Sequence, residues 1–254
     1  MSAGGSFWRR RLARSGPYGL GVTLAFAGVA AAVWGVAEIA QAVAGTTGLA
    51  RLDARAHEVL YRAFGASPEL GQAVTWFGNN ATLVALVVLT AGGLALARRP
   101  WAAFRVVLAS GVGGLVVRGL KHLFARARPL DRIIPAEGYS FPSGHAFAST
   151  VFYGMCLYLV WRLTDRAWAR ALAAVVFPVL IVGVGLSRVY LNVHYLTDVA
   201  AGWLAGGAWL GASLLVVHAV ETRSRDRAER AAERRRPDDA APGDLGAADA
   251  DGRA

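Results

Sequence analysis

Residues 70–97 read LGQAVTWFGNNATLVALVVLTAGGLALA, and this stretch carries no charged side chain. A second uncharged run covers residues 15–37, close to the N-terminus. A helix that crosses a bilayer needs about 20 predominantly apolar residues, and both runs are long enough. The hydrophobic fraction of 55% and the mean hydropathy of +0.40 agree with that interpretation. The sequence therefore predicts an integral membrane protein.

Apolar segments recur along the chain and predict an all-α, polytopic bundle of six transmembrane helices. Residues 46–70, between the first two spans, are amphipathic at helical spacing, which predicts an interfacial helix lying along the membrane. The domain of residues 17–220 is flanked by a basic N-terminus, residues 1–16, and a charged, largely disordered tail, residues 221–254. The predicted spans are residues 18–43, 73–97, 101–123, 146–161, 171–186 and 195–220.

Basic residues cluster in segments that all fall on one side of a bundle with six spans. These segments are the N-terminus and residues 98–105, 162–170 and 223–236. Because short basic loops stay in the cytoplasm, both termini are predicted to be cytoplasmic. The protein itself is predicted to be integral to the inner membrane of a bacterial-type cell. The net charge of +10 follows the same clusters, so nucleic acid is not expected as a partner. The remaining polar loops then lie together on the extracytoplasmic side.

Three short polar blocks interrupt the apolar chain. The first reads K-x6-R-P over residues 121–129, the second P-S-G-H over 142–145, and the third S-R-x5-H-x3-D over 187–198. Cations and free backbone N–H groups bind a phosphate dianion. A histidine with a carboxylate four residues later is typical of an oriented nucleophile or base. The combination predicts phosphoryl transfer, and because no acidic cluster accompanies it, no metal ion or other cofactor is expected.

These blocks, in this order, resemble the signature of the type 2 phosphatidic acid phosphatase superfamily. That superfamily contains membrane lipid phosphatases, soluble acid phosphatases and vanadium haloperoxidases. The resemblance implies that Lys121 and Arg128 bind the substrate phosphate. It further implies that His145 is the general acid that protonates the departing lipid oxygen. His194 matches the nucleophile, which forms a phosphohistidine that water then hydrolyses.

The residues themselves add further expectations about the site. His194 and Asp198 share a helix face, so the carboxylate can accept from one ring nitrogen and leave the other unprotonated. Arg188 supplies a third cation, and Ser143 with Gly144 is expected to offer a hydroxyl and backbone N–H groups to the phosphate. Lys121 is the only lysine among 27 lysine and arginine residues, which favours a functional choice of ammonium. The neighbouring Arg118 and His122 either bind a second phosphate or only extend towards the interface.

The sequence thus predicts a metal-independent lipid phosphate phosphatase that acts at the extracytoplasmic membrane face. Its expected partners are the bilayer and a lipid phosphate: a polyprenyl diphosphate, phosphatidylglycerophosphate or phosphatidate. The alternatives are a lipid-linked phosphotransferase and a non-catalytic transporter or scaffold. Transporters usually place polar groups near the middle of the membrane, whereas here the charges gather at helix ends. The sequence makes no prediction of oligomeric state.

Overall fold

The structure, a computed structural model, describes residues 20–45, 49–65 and 67–234. Its regular elements in these ranges are α-helices, without a strand. The predicted basic N-terminus and the last part of the predicted tail lie outside the described residues. The helices are α1 Leu20–Ala44, α2 Leu49–Phe64, α3 Pro68–Trp76, α4 Asn80–Leu96, α5 Pro100–Phe124, α6 Gly144–Leu163, α7 Ala167–Tyr190 and α8 Leu196–Arg234.

The predicted membrane spans are confirmed in number: six segments of the described chain are long and apolar enough to cross a bilayer. They are α1, α3 together with α4, α5, α6, α7 and α8 as far as Ala231. Most helix ends differ from the predicted ends by a few residues, but α8 continues to Arg234, well beyond the predicted end at residue 220. For example, α7 begins at Ala167 and ends at Tyr190, whereas residues 171–186 were predicted. Large apolar side chains such as Trp34, Leu89 and Leu115 are exposed on the outside of the bundle, as expected of a surface that faces lipid.

The sequence predicted the second span as one continuous helix, but the structure divides it. A turn at residues 77–79 separates α3 from α4. The Asn79 side chain caps α4 by accepting a hydrogen bond from the backbone N–H of Ala81 at 3.2 Å. Gly78 packs so closely against Val184 of α7 that any larger side chain would collide with it. The turn therefore follows from a tertiary contact as well as from the local sequence.

Two glycines of α8 allow its backbone to approach the start of α6. A Cβ atom on Gly202 would lie 2.7 Å from the carbonyl oxygen of Ser143. One on Gly206 would lie 2.8 Å from the carbonyl oxygen of Phe147. In lipid, small residues at such positions let helices pack through close backbone contact. The contact places the second polar block beside the third.

The alternation of helix direction brings all three polar blocks to one end of the bundle. The first block lies where α5 ends, the second where α6 begins, and the third between the end of α7 and the start of α8. The backbone N–H of Ser143 donates to the carbonyl oxygen of Asp198 at 2.9 Å, which joins the second block to the third. The connections at residues 97–99 and 164–166, which belong to the basic segments 98–105 and 162–170, lie at the opposite ends of these helices.

The chain divides into two compact units, Met1–Leu215 and Val216–Ala254. The first unit contains the three polar blocks. In the second unit, α8 continues to Arg234, and most of its described side chains are exposed.

Candidate active site

His194 lies in the turn between α7 and α8, with 2% of its surface exposed. Its Nδ1 atom is 3.4 Å from Oδ2 of Asp198, slightly longer than an ordinary hydrogen bond. Its Nε2 atom is 3.1 Å from Nη1 of Arg128. A guanidinium has only donors, so Nε2 must accept and the hydrogen must sit on Nδ1, facing the carboxylate. The contacts therefore select the tautomer in which Nε2 carries the lone pair.

The environment of His194 also keeps the ring uncharged. Burial, the largest effect, lowers the pKa of His194 to about 4. The hydrogen bond and the charge of Asp198 raise the same pKa, whereas the charges of Arg128 and Lys121 lower it. The imidazole is consequently neutral at pH 7, and Nε2 carries an electron pair rather than a hydrogen.

The carboxylate of Asp198 is fully buried and is held on both of its oxygens. Oδ2 accepts from the backbone N–H of Tyr195 at 3.0 Å, in addition to facing His194. Oδ1 accepts from Nη1 of Arg126 at 2.5 Å. The other terminal nitrogen of Arg126 donates to Asp53 of α2 at 3.1 Å. Two side chains that the sequence analysis did not assign, Arg126 and Asp53, thus belong to the surroundings of the site.

A signal for Asp53 was present in the sequence. Residues 49, 52, 56, 60 and 64 form the apolar stripe of α2, and Asp53 lies inside that stripe by helical spacing. A carboxylate on a buried face requires a partner, because burying an unpaired charge is costly. Helix α2 is present where an interfacial helix was predicted. The face of α2 that carries Asp53 is turned towards the bundle rather than towards water.

Two of the predicted phosphate ligands, Lys121 and Arg128, are held by backbone carbonyl groups of the α5–α6 loop. Arg128 donates from Nε to the carbonyl oxygen of Gly138 at 2.9 Å and from Nη2 to that of Glu137 at 2.9 Å. Lys121 donates to the carbonyl oxygen of Tyr139 at 2.6 Å. Neutral acceptors fix the positions of both cations without cancelling their charges, which leaves both available to an anion.

Arg188 and Ser143 carry buried polar atoms that have no hydrogen-bond partner in the described part of the chain. Nη1 of Arg188 donates to Oγ1 of Thr75 at 2.9 Å, but its Nε has no acceptor. The hydroxyl of Ser143 is likewise buried and unpartnered. Leaving such groups unsatisfied costs free energy, so both atoms suit an anion that supplies oxygen acceptors.

His145 occupies the first turn of α6, where Gly144 is the first helical residue. Its ring interacts electrostatically with the His194 ring and with the three cations of the polar blocks. The N-terminus of a helix carries exposed N–H groups and a partial positive charge, which favour an anion. Lys121 lies against this turn, since a Cβ atom on Gly144 would be 3.5 Å from Lys121 Cε. The structure therefore brings the predicted site residues of all three blocks into one region.

A cavity of about 530 Å³ extends from this region along α4, α5 and α6. Lys121 and Gly144 line its polar end, and Arg118 lies one helical turn further along the same wall. The remaining lining is mainly apolar and includes Leu83, Val87, Val107, Val117, Phe147 and Val151. Within the described ranges, no group of three or more His, Cys, Asp or Glu residues could hold a metal ion.

Residues 102–222 match the family model of the PAP2 superfamily. The chain is 31% identical over 140 residues to phosphatidylglycerophosphatase B of Bacillus subtilis, an alignment that covers 54% of this chain and 69% of that protein. It is 34% identical over 152 residues to decaprenylphosphoryl-5-phosphoribose phosphatase of Mycobacterium tuberculosis, covering 56% and 76%. The crystal structure of a transmembrane PAP2 type phosphatidylglycerolphosphate phosphatase from Bacillus subtilis superposes with a TM-score of 0.67 at 25% identity, covering 73% of this chain and 93% of that one.

These relatives are phosphatases, and the solved one is a transmembrane protein. The predictions of an all-α polytopic fold and of a phosphoric monoester hydrolase are confirmed. The family match spans the three polar blocks that the structure brings together. The chain belongs to the PAP2 superfamily.

Proposed function

We propose that this protein is a lipid phosphate phosphatase that works without a metal ion, with His194 as the nucleophile. In the first step Nε2 attacks phosphorus, and the bond from phosphorus to the lipid oxygen breaks. His145 gives its proton to that departing oxygen. In the second step His145 accepts a proton from water, the water oxygen attacks phosphorus, and the phosphorus–Nε2 bond breaks to release phosphate.

The other residues of the site support this chemistry. Asp198 orients His194 and stabilises the positive charge that the ring gains when Nε2 is phosphorylated. Lys121, Arg128 and Arg188 compensate the charge on the oxygens around phosphorus, which is the main requirement of phosphoryl transfer. Ser143 and Gly144 add a hydroxyl and backbone N–H groups. A bound phosphate dianion favours the protonated form of His145, which the first step requires.

One observation carries the proposal more than any other. The lone pair on His194 Nε2 faces Arg128 at 3.1 Å while the opposite nitrogen faces a buried carboxylate. Here one nitrogen is oriented by a negative charge and the other is presented where an anion can bind.

The cavity supports a lipid as the substrate. Its volume falls within the range of about 300–1,000 Å³ that small-molecule sites occupy. Its polar end holds Lys121 and Gly144, and its apolar walls continue between helices, where a hydrocarbon chain can lie. The relatives act on a glycerophospholipid and on a polyprenyl lipid, as their names state. We therefore propose phosphatidylglycerophosphate, phosphatidate and polyprenyl diphosphate as the candidate substrates.

The proposed location is the cell membrane, with both termini in the cytoplasm and the catalytic residues on the extracytoplasmic side. The catalytic domain is proposed to be residues 17–220, with residues 221–254 as a tail. In a Cys156→Ser background, Asp131→Cys in the α5–α6 loop should react with a membrane-impermeant thiol reagent in intact cells. Asp165→Cys, at the opposite helix ends, should react only after lysis. The reverse pattern would place the site on the cytoplasmic side.

The proposed activity is tested by phosphate release from the three candidate lipids in detergent micelles, with a chelator present. We expect release from at least one lipid, unchanged by the chelator and abolished in His194→Ala. A strict requirement for added Mg²⁺ would contradict the proposed mechanism. Adding acceptor alcohols to the same assay separates hydrolysis from phosphate transfer, because transfer yields a phosphorylated alcohol.

A further inference from the structure

We propose that Asp53, on the amphipathic helix α2, is a positioning residue of the active site that acts on His194 through Arg126 and Asp198. The inference rests on the proposed role of His194 as nucleophile. Asp53 lies outside the three polar blocks and is separated from Arg126 by 73 residues in the chain. It is nevertheless only 3% exposed.

The guanidinium of Arg126 bridges the two carboxylates. Nη1 donates to Oδ1 of Asp198 at 2.5 Å, and Nη2 donates to Oδ2 of Asp53 at 3.1 Å. The plane of the guanidinium is further fixed by the ring of Tyr195, whose centroid lies 4.0 Å from Cζ. Because its two ends are anchored on different carboxylates, Arg126 has one orientation in which it can hold Asp198.

Thr197 completes the connection between α2 and the start of α8. Its backbone N–H donates to Oδ1 of Asp53 at 2.9 Å, and its hydroxyl donates to Oδ2 at 2.8 Å. The same hydroxyl oxygen accepts from Nη1 of Arg126 at 2.8 Å. Both oxygens of Asp53 are thus occupied by groups that also determine where Asp198 stands.

The charges of this cluster give Asp53 a role beyond orientation. Two carboxylates share one guanidinium, so the group keeps a net negative charge facing Nδ1 of His194. If Arg126 paired with Asp198 alone, its full positive charge would cancel that of the carboxylate. Asp198 would then stabilise the positively charged phosphohistidine ring less well. Asp53 therefore preserves the charge that Asp198 offers to His194.

Attachment of α2 to the bundle does not require a buried charge. Nδ1 of His57 lies 3.0 Å from the carbonyl oxygen of Val189, and Ala56 and Leu60 pack against Val189 and Val199. Replacing a buried ion pair with apolar residues is often neutral or stabilising, so the pair is weak evidence of a purely structural role. The position of the cluster directly behind Asp198 favours a role in catalysis.

The test is the single-turnover rate of phosphoenzyme formation by the full chain in micelles. Asp53→Asn keeps the shape of the side chain and removes its charge. We expect this rate to fall about 10- to 100-fold, as for other residues that orient a functional group, with little change in KM. The matched control is Glu58→Gln on the same helix, where the side chain is 55% exposed and pairs with Arg62 at the surface. This control should phosphorylate at the wild-type rate.

A second readout reports on His194 directly. In Asp53→Asn, the NMR signal of the Nδ1–H proton of His194 should move upfield, because the hydrogen bond to Asp198 weakens. If Asp53→Asn does not fold, the inference is tested with Thr197→Val instead. This variant keeps the shape of the side chain and removes the hydroxyl between Asp53 and Arg126. We expect Thr197→Val to slow phosphorylation less than Asp53→Asn but to shift the same signal in the same direction.

Wild-type rates and an unchanged His194 signal in Asp53→Asn would overturn the inference and leave the proposed function intact. If Asp53→Asn does not fold, a wild-type rate and an unchanged His194 signal in Thr197→Val would overturn the inference. A wild-type protein that forms no phosphoenzyme while releasing phosphate would instead reject His194 as the nucleophile, and with it this inference.

Discussion

Nε2 of His194 and Nη1 of Arg128 lie 3.1 Å apart, so the proposed nucleophile and a proposed phosphate ligand are already in contact. The same Nη1 also donates to the carbonyl oxygen of Val193 at 2.7 Å. With its other nitrogens on the α5–α6 loop, the guanidinium has a fixed position before any substrate enters. Donors that are fixed in advance stabilise developing charge without reorganising during the reaction.

This geometry predicts that a different cationic side chain cannot replace Arg128. Arg128→Lys keeps the cation but cannot bind the loop carbonyls and a phosphate oxygen at the same time. We expect kcat to fall about 10²- to 10³-fold, the usual cost of losing one such donor. Arg132→Lys, in the same loop, is the control and should retain wild-type kcat in the phosphate-release assay. Equal activity of both variants would show that the fork of Arg128 has no role.

The second prediction concerns the titration of His194. Its pKa of about 4 lies below the usual value of 6.5. Folding stability from this group is therefore complete above about pH 6.5 and decreases as the pH falls towards 4, because the unfolded chain binds the proton more readily. In ¹⁵N NMR spectra of histidine-labelled protein, His194 should remain neutral with hydrogen on Nδ1 at pH 7 and titrate near pH 4. His194→Gln assigns the signal, and a midpoint near 6.5 would contradict the prediction.

The third prediction separates the two histidines. If His145 protonates the departing oxygen, His145→Ala should lose about 10²- to 10⁴-fold in activity on a lipid alcohol ester. The loss in phosphoenzyme formation should be much smaller for p-nitrophenyl phosphate, whose phenolate leaves without a proton. Because the variant also lacks the base for the water step, the phosphoenzyme should accumulate. Its formation should be seen as an initial burst of released nitrophenolate. Equal losses on both substrates would exclude His145 as the general acid.

The fourth prediction concerns the packing that joins the second and third polar blocks. A methyl group on Gly206 would lie 2.8 Å from the carbonyl oxygen of Phe147, whereas one on Gly207 meets nothing within 4 Å. Gly206→Ala should therefore destabilise the protein by about 1–3 kcal/mol, as overpacked sites do. Gly207→Ala should leave thermal unfolding in the same detergent unchanged or slightly raised, because alanine favours helix. Equal unfolding temperatures would show that α6 and α8 are not in close contact.

Long, predominantly apolar segments were sufficient to predict the six spans, because few structures other than a transmembrane helix accommodate such segments. The break at residues 77–79 was not predicted, since it lies within one uncharged run and depends on the contact of Gly78 with Val184. The polar blocks were predicted to meet, and the structure brings them to one end of the bundle. The position of the polar blocks can be predicted because each block lies at a helix end that the local sequence marks. A helix interruption that depends on a distant residue leaves no such local mark.

Asp53 and Arg126 show the other limit of the sequence. Arg126 lies inside the first block, but its function depends on two carboxylates from α2 and α8 that no spacing rule connects. In the sequence, Asp53 is one of several charged residues on an amphipathic helix. Its place within the apolar stripe indicated burial, but only the fold identifies Arg126 and Thr197 as its partners.

The most direct test of the central claim is to trap the phosphorylated protein. Full-length protein in micelles is mixed with ³²P-labelled lipid phosphate, quenched in alkali within one turnover, and digested for mass spectrometry. We expect one phosphate on His194, stable in alkali and lost in acid as a phosphohistidine is, and absent from His194→Ala. Phosphate on any other side chain, or a His194→Ala variant that still turns over substrate, would contradict the claim.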